Sequence, residues 1–171
     1  MLAAADKAKV KVILPVDVVV AKEVTRGTEY KTIPAEKIPA SWHIVDVGRA
    51  TLDLMEESLA EARTVFWNGP LGVFEIPSFA HGTRAIARFL AARADAGATV
   101  VVGGGDSVAA IQQQGLAERF THISTGGGAS LEFLEGRELP GVAVLQDRPD
   151  AKPAGKARRK SGRKVAAKAG A

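Results

Sequence analysis

Two triple-glycine runs constrain this chain more than any other feature. Gly103-Gly104-Gly105 ends the β-branched run Ala98–Val102, and Gly126-Gly127-Gly128 ends the run His122–Ser124. Helix-forming residues resume after each, at Ser107–Gly115 and Ala129–Glu135. A strand, a glycine turn and a helix, repeated, is the pattern of parallel βαβ units. Neither run is a generic nucleotide fingerprint. GxxxxGK[ST] is absent, and GxGxxG fails at Val108 and Leu131.

The same alternation extends towards the N-terminus. Strands are predicted at 11–20, 43–47, 64–67, 98–102 and 121–124. A helix is predicted over Thr51–Ala62, where Leu52, Met55, Leu59 and Ala62 share one stripe. Another spans Ser78–Ala96, with Ile86, Phe89 and Leu90 inward and Gly97 as its stop. Residues 22–41, with Pro34 and Pro39, read as a connection with room for a small hairpin. Leu139-Pro140-Gly141 is a break before the short apolar segment Val142–Leu145. The expected fold is α/β: a three-layer, Rossmann-like, mainly parallel sheet with right-handed crossovers and helices on both faces.

Length and charge divide the chain. Its 171 residues are 46% hydrophobic, enough for one domain with a real core. The net charge of +4 belongs to the end: residues 151–171 hold eight basic side chains and no acidic one. The remainder holds fifteen basic and nineteen acidic groups, so it is mildly acidic and carries no nucleic-acid footprint. We therefore expect an α/β lobe over residues 1–148 and a disordered, low-complexity basic tail over 149–171. Any nucleic-acid binding should be weak and confined to that tail. There are no cysteines, so disulfide, thiolate and zinc-thiolate chemistry is excluded. Asp17 interrupts the longest apolar run, Val10–Ala21, which argues against a membrane span. The first residues lack the order of a signal peptide, and the cytoplasm is the expected location.

In an open parallel sheet, ligands gather beyond the carboxyl ends of the strands. Three turns fall on that edge: Asn68-Gly69-Pro70, Gly103–Ser107 and Ser124–Gly128. Glycine lets backbone N–H groups approach an anion, and a helix N-terminus adds partial positive charge. Two such turns on adjacent strands point to phosphate; tight turning alone is the other reading. Asp106 is either a helix cap or a ligand to Mg²⁺ bridging phosphates. Ser107 either caps the same helix or donates to a phosphate, and Glu75 is either a solvated loop carboxylate or an acceptor for ribose hydroxyls. His43, His81 and His122 lack metal-like spacing, and Trp42 and Trp67 sit in strand runs that suit a core.

The segments TVFWNGPLGVFE (64–75), VVGGGDSVAAI (101–111) and HISTGGGASLEFLEGRELPGV (122–142) resemble phosphoglycerate kinase in order and spacing, as does LPVDVVVA (14–21). The resemblance covers roughly residues 3–146. It implies reversible phosphoryl transfer between 1,3-bisphosphoglycerate and MgADP, giving 3-phosphoglycerate and MgATP. It also implies two Rossmann-like lobes, the first binding the glycerate and the second the nucleotide. This chain resembles the later part of the second lobe only. The resemblance gives Gly104, Gly105, Asp106 and Ser107 to the nucleotide phosphates, with Asp106 reaching Mg²⁺. It gives Glu75 to the ribose and Asn68 to the neighbourhood of the phosphate chain. Gly126, Gly127 and Gly128 would open the helix whose N–H groups stabilise the transferring phosphoryl, which suits a reaction that needs positioning and charge neutralisation.

The segment resembling the glycerate-binding lobe is missing, with its basic cluster, and so are the nucleotide lobe's first strands. ATP or ADP is therefore the expected ligand, while a phosphoglycerate should bind only if the missing lobe is supplied. Two other readings compete with a kinase fragment inactive on its own: a non-catalytic nucleotide-binding remnant, and an interaction protein binding polyanions through its tail.

Overall fold

The computed structural model describes residues 2–145. The expected disordered tail, 149–171, lies outside the described residues. The chain divides into two units, residues 1–137 and 138–171, which are treated separately.

The first unit opens with a short helix, α1 (Leu2–Lys7), and an extended stretch. Strand β1 is Asp17–Ala21, shorter than the expected 11–20. Pro15 has no N–H for a ladder, and Val10, Val12, Leu14 and Val16 stay exposed. β2 (Tyr30–Pro34) and β3 (His43–Val47) pair with β1 on either side, both antiparallel. The hairpin allowed for in residues 22–41 is thus β1–β2. Pro34 ends the outer strand, where no ladder donor is needed.

These three strands do not join the parallel sheet, which corrects the expectation of one mainly parallel array. A parallel crossover needs a dozen or more residues, usually helical. Residues 22–42, between β1 and β3, hold the edge strand and a single 3₁₀ turn in place of a crossover helix, and β3 pairs antiparallel with β1. Val19, Ala21, Val45 and Phe79 form the core of this small sheet.

The second sheet is parallel, as expected. β4 (Thr64–Asn68), β5 (Thr99–Gly103) and β6 (His122–Ser124) lie in that order. Val65 is in register with Val100, Trp67 with Val102, and Val102 with Ile123. These side chains share one face, which α2 (Arg49–Leu59), α3 (His81–Asp95) and α4 (Gly105–Gln113) cover. Ile86 and Leu90 of α3 and Ile111 of α4 are buried against it, and Met55 and Leu59 of α2 pack at its margin. The predicted stripe of α2 therefore faces inward, with Leu52 fully buried. The opposite face carries Phe66 and Val101, each only partly buried. The chain is thus an α/β protein with a parallel sheet and helices. α5 (Gly127–Leu134) follows β6. The second unit holds one helical turn, α6 (Pro140–Ala143), where the sequence suggested only an apolar segment. Its amides at Val142 and Ala143 donate to the Leu139 carbonyl (2.9 and 2.9 Å).

Candidate functional site

The carboxyl ends of β4, β5 and β6 bring the expected turns together. Gly104 adopts φ +87°, a conformation that favours glycine, and caps α4 with its backbone. Gly127 opens α5 directly against it. A Cβ on Gly127 would lie 2.6 Å from the Gly104 nitrogen and 2.8 Å from Asn68 Oδ1. A Cβ on Gly104 would lie 3.1 Å from the same Asn68 oxygen, and one on Gly103 3.2 Å. Asn68, Gly103, Gly104 and Gly127 therefore meet at one point, and the close approach of two helix N-termini there requires glycine.

The remaining glycines face outward. A Cβ on Gly105, Gly126 or Gly128 would meet no atom within 4 Å. Neither α4 nor α5 has a side-chain N-cap. Their first-turn N–H groups thus have no intrahelical or capping partner, the condition under which a helix start accepts an anion.

The side chains around this point differ in availability. Ser107 is fully buried, and its Oγ accepts the N–H of Gly69 at 2.7 Å. It ties the turn after β4 to α4. Trp67 is a core residue, as expected, and its indole N–H donates to the Gly69 carbonyl at 2.7 Å. Asp106 is exposed in the first turn of α4 and makes no ion pair or side-chain hydrogen bond among the described residues. That arrangement gives no support to its capping role. Glu75 is exposed on the turn following β4. Trp42 is not in the core: it is partly exposed, with Lys31 Nζ 4.5 Å and Lys22 Nζ 5.8 Å from its ring centroid. His43, His81 and His122 are exposed.

No group of three or more His, Asp or Glu that could cage a metal ion occurs among the described residues. One free carboxylate beside anion-accepting amides nevertheless suits Mg²⁺. That ion commonly takes one or two carboxylates and completes its shell with phosphate oxygens and water. Asp106 is the exposed carboxylate in the first turn of α4.

Two buried polar residues, Asp46 and Thr83, were not among the candidate site residues. Asp46, 1% exposed, accepts the N–H of Val47 at 2.9 Å and of Gly82 at 2.8 Å. Burial pushes its carboxyl above the usual range, against the pull of those two amides and of His81. Thr83, fully buried, accepts the N–H groups of Leu71 and Gly72, both at 3.1 Å. The signal for Asp46 was available: it stands alone as a carboxylate inside the apolar run Ile44–Val47.

Fold and site together define an open-sheet α/β protein whose ligand edge lies at the carboxyl ends of the strands. The family model "Phosphoglycerate kinase" matches residues 1–137. A phosphoglycerate kinase of Rubrobacter xylanophilus is 56% identical over 140 residues, covering 82% of this chain and 35% of that protein. One of Fervidobacterium nodosum is 51% identical over 149 residues, covering 86% and 37%. The solved phosphoglycerate kinase of Coxiella burnetii superposes with a TM-score of 0.75 at 39% identity, over 83% of this chain and 36% of that one. The chain belongs to the phosphoglycerate kinase family. It spans little more than a third of the length of the curated relatives it matches.

Proposed function

We propose that this chain supplies the nucleotide side of a phosphoglycerate kinase, which moves a phosphoryl group between 1,3-bisphosphoglycerate and MgADP to give 3-phosphoglycerate and MgATP. The observation that carries the reading is the meeting of Asn68, Gly104 and Gly127 at the sheet edge, with Gly105, Gly126 and Gly128 turned to open space. Two helix starts aimed at one point can share a chain of phosphates. In this reading Gly104, Gly105 and Ser107 hold the nucleotide phosphates through the start of α4, and Asp106 holds Mg²⁺. Glu75 accepts from the ribose and Asn68 lies beside the phosphate chain. The amides of Gly126, Gly127 and Gly128 stabilise charge on the phosphoryl in transit. Relatives named phosphoglycerate kinase support the assignment, as does the free carboxylate beside two uncapped helices. In this reading the protein works in the cytoplasm, where glycolytic transfer of this kind takes place.

The chain alone should bind nucleotide without turning it over. Holding both reactants in line supplies roughly 7–11 kcal/mol of a barrier, and the glycerate-binding lobe is not in this sequence. Calorimetric titration with ADP, with and without Mg²⁺, tests the binding. Asp106→Asn should abolish the Mg²⁺-dependent gain in affinity; an unchanged gain removes Asp106 from the metal. A coupled assay with 1,3-bisphosphoglycerate and MgADP should stay at the buffer rate. Turnover that disappears in Asp106→Asn would refute the expectation that this chain does not catalyse on its own. Absence of any ADP binding would refute the nucleotide reading.

A further inference from the structure

The turn between β4 and α3 is pinned at two places. Its start is held by Ser107 through the Gly69 amide (2.7 Å). Its middle is held from below, where Leu71 and Gly72 donate to Thr83 Oγ1 and Val73 donates to the Val45 carbonyl at 2.9 Å. Asp46 sits immediately under this middle section. A Cβ on Gly72 would lie 2.4 Å from Asp46 Oδ1, and a Cβ on Gly82 would lie 2.4 Å from the same atom. The carboxylate is therefore wedged between the turn and the first turn of α3, which it also holds through the Gly82 amide.

Apolar residues of similar shape often serve stability as well as buried polar ones. Here a hydroxyl and a carboxylate are buried, and the acceptor capacity in use goes to backbone amides of the turn, of β3 and of the adjoining helix. Neither Asp46 nor Thr83 is among the groups meeting at Asn68, Gly104 and Gly127. The two residues meet the turn at Leu71 and Gly72, three residues before Glu75, while Phe74 between them is buried with Ala80 and with Ala110 of α4.

We infer that Asp46 and Thr83 are positioning residues, a buried clamp that sets the Gly72–Glu75 turn so that Glu75 meets the ribose of a bound nucleotide. The inference rests on the nucleotide reading above. It separates the two ends of the ligand. The phosphate end is held by the starts of α4 and α5, to which neither residue makes a hydrogen bond; the ribose end depends on the clamp.

The test uses the full 171-residue chain, with amide hydrogen exchange and titrations of ADP and of inorganic pyrophosphate. Thr83→Val keeps the shape and removes the acceptor; Thr83→Ser keeps the acceptor. In Thr83→Val, exchange at Leu71 and Gly72 should quicken by about tenfold or more. ADP affinity should fall about tenfold, the equivalent of one ordinary hydrogen bond, while pyrophosphate affinity stays at the wild-type value. Thr83→Ser should restore both quantities. ADP and pyrophosphate weakening together, ADP affinity unchanged, or failure of serine to restore it would each overturn the clamp. If Thr83→Val does not fold, Asp46→Asn, which retains the shape and one acceptor oxygen, is read instead: exchange at Val47 or Gly82 should quicken and ADP affinity should fall while pyrophosphate affinity holds, and any other pattern overturns the clamp. A wild-type chain that responds to neither ligand refutes the nucleotide reading and with it the ribose role. Exchange at Leu71 and Gly72 then still decides whether Thr83 holds the turn.

Discussion

Glycines of one motif differ in what they tolerate here. Gly127 has backbone of Gly104 where its Cβ would go, whereas Gly128 faces open space. Gly127→Ala should therefore cost about 1–3 kcal/mol, the usual penalty of forcing extra volume into a packed site. Gly128→Ala should leave stability unchanged or raise it by less than about 1 kcal/mol, because alanine favours the helix. Its methyl group nevertheless intrudes where an anion would approach, so ADP binding should weaken. Urea unfolding and ADP titration of the two variants separate the effects. Wild-type ADP affinity in Gly128→Ala would exclude that amide from the site.

At the scale of elements, α2 is started by a residue from another strand. The Asp17 carboxylate accepts the amides of Ala50 (3.1 Å) and Thr51 (2.7 Å) and the Thr51 hydroxyl (2.7 Å). Burial raises the Asp17 pKa, but these hydrogen bonds outweigh it and hold the carboxyl below its ordinary 3.8. The unfolded chain then binds more protons than the native one in the window just below pH 3.8, so stability falls as pH drops through it. Asp17→Asn should be less stable than wild type at pH 7, with the gap narrowing below pH 3.8 in urea titrations at stepped pH. Asp46 has the opposite sign. Its raised pKa makes the native state hold the proton longer, so its contribution declines as pH rises just above 3.8. Removing Asp46 should steepen the net gain of stability with pH in that window, and a profile identical to wild type would show that it does not titrate there.

For the whole molecule, the parallel sheet ends at β4, which pairs only with β5 among the described residues. Beside that edge lies an apolar groove lined by Ile13, Met55, Leu59, Trp67 and Leu71. An unpaired strand flanked by apolar surface is a template for pairing, and a second copy of this chain is always available to it. Light scattering should show mass rising with concentration; a constant monomer mass would count against it. The eight basic residues of 151–171 should add only electrostatic attraction. Each phosphate neutralised on duplex DNA gives a salt slope of about −0.9. Any DNA binding should therefore vanish at moderate salt and on deletion of 151–171, and salt-resistant binding by the truncated chain would revive a nucleic-acid role.

Local chemistry decided much of this protein from the sequence alone. Glycine runs after β-branched runs carry their meaning in three or four residues, so the β5–α4 and β6–α5 turns, the parallel pairing of β4, β5 and β6, and Asn68 at the shared edge were all legible. Amphipathic spacing likewise placed Leu52, Ile86 and Leu90 inward. No helix of the described residues is long and apolar enough to cross a membrane, in keeping with Asp17 in the longest apolar run. Partner choice was not legible, because it depends on residues far apart in the chain. Only the tertiary structure set β1 to β3 apart as an antiparallel sheet, since apolar patterning marks a strand without saying which neighbour it pairs with. It alone joined Asp17 to α2 across 34 residues and Asp46 to Gly82 across 36. Trp42 followed the same rule. Its place in a strand run suggested core, but the packing of β1 to β3 left it at the surface between two lysines.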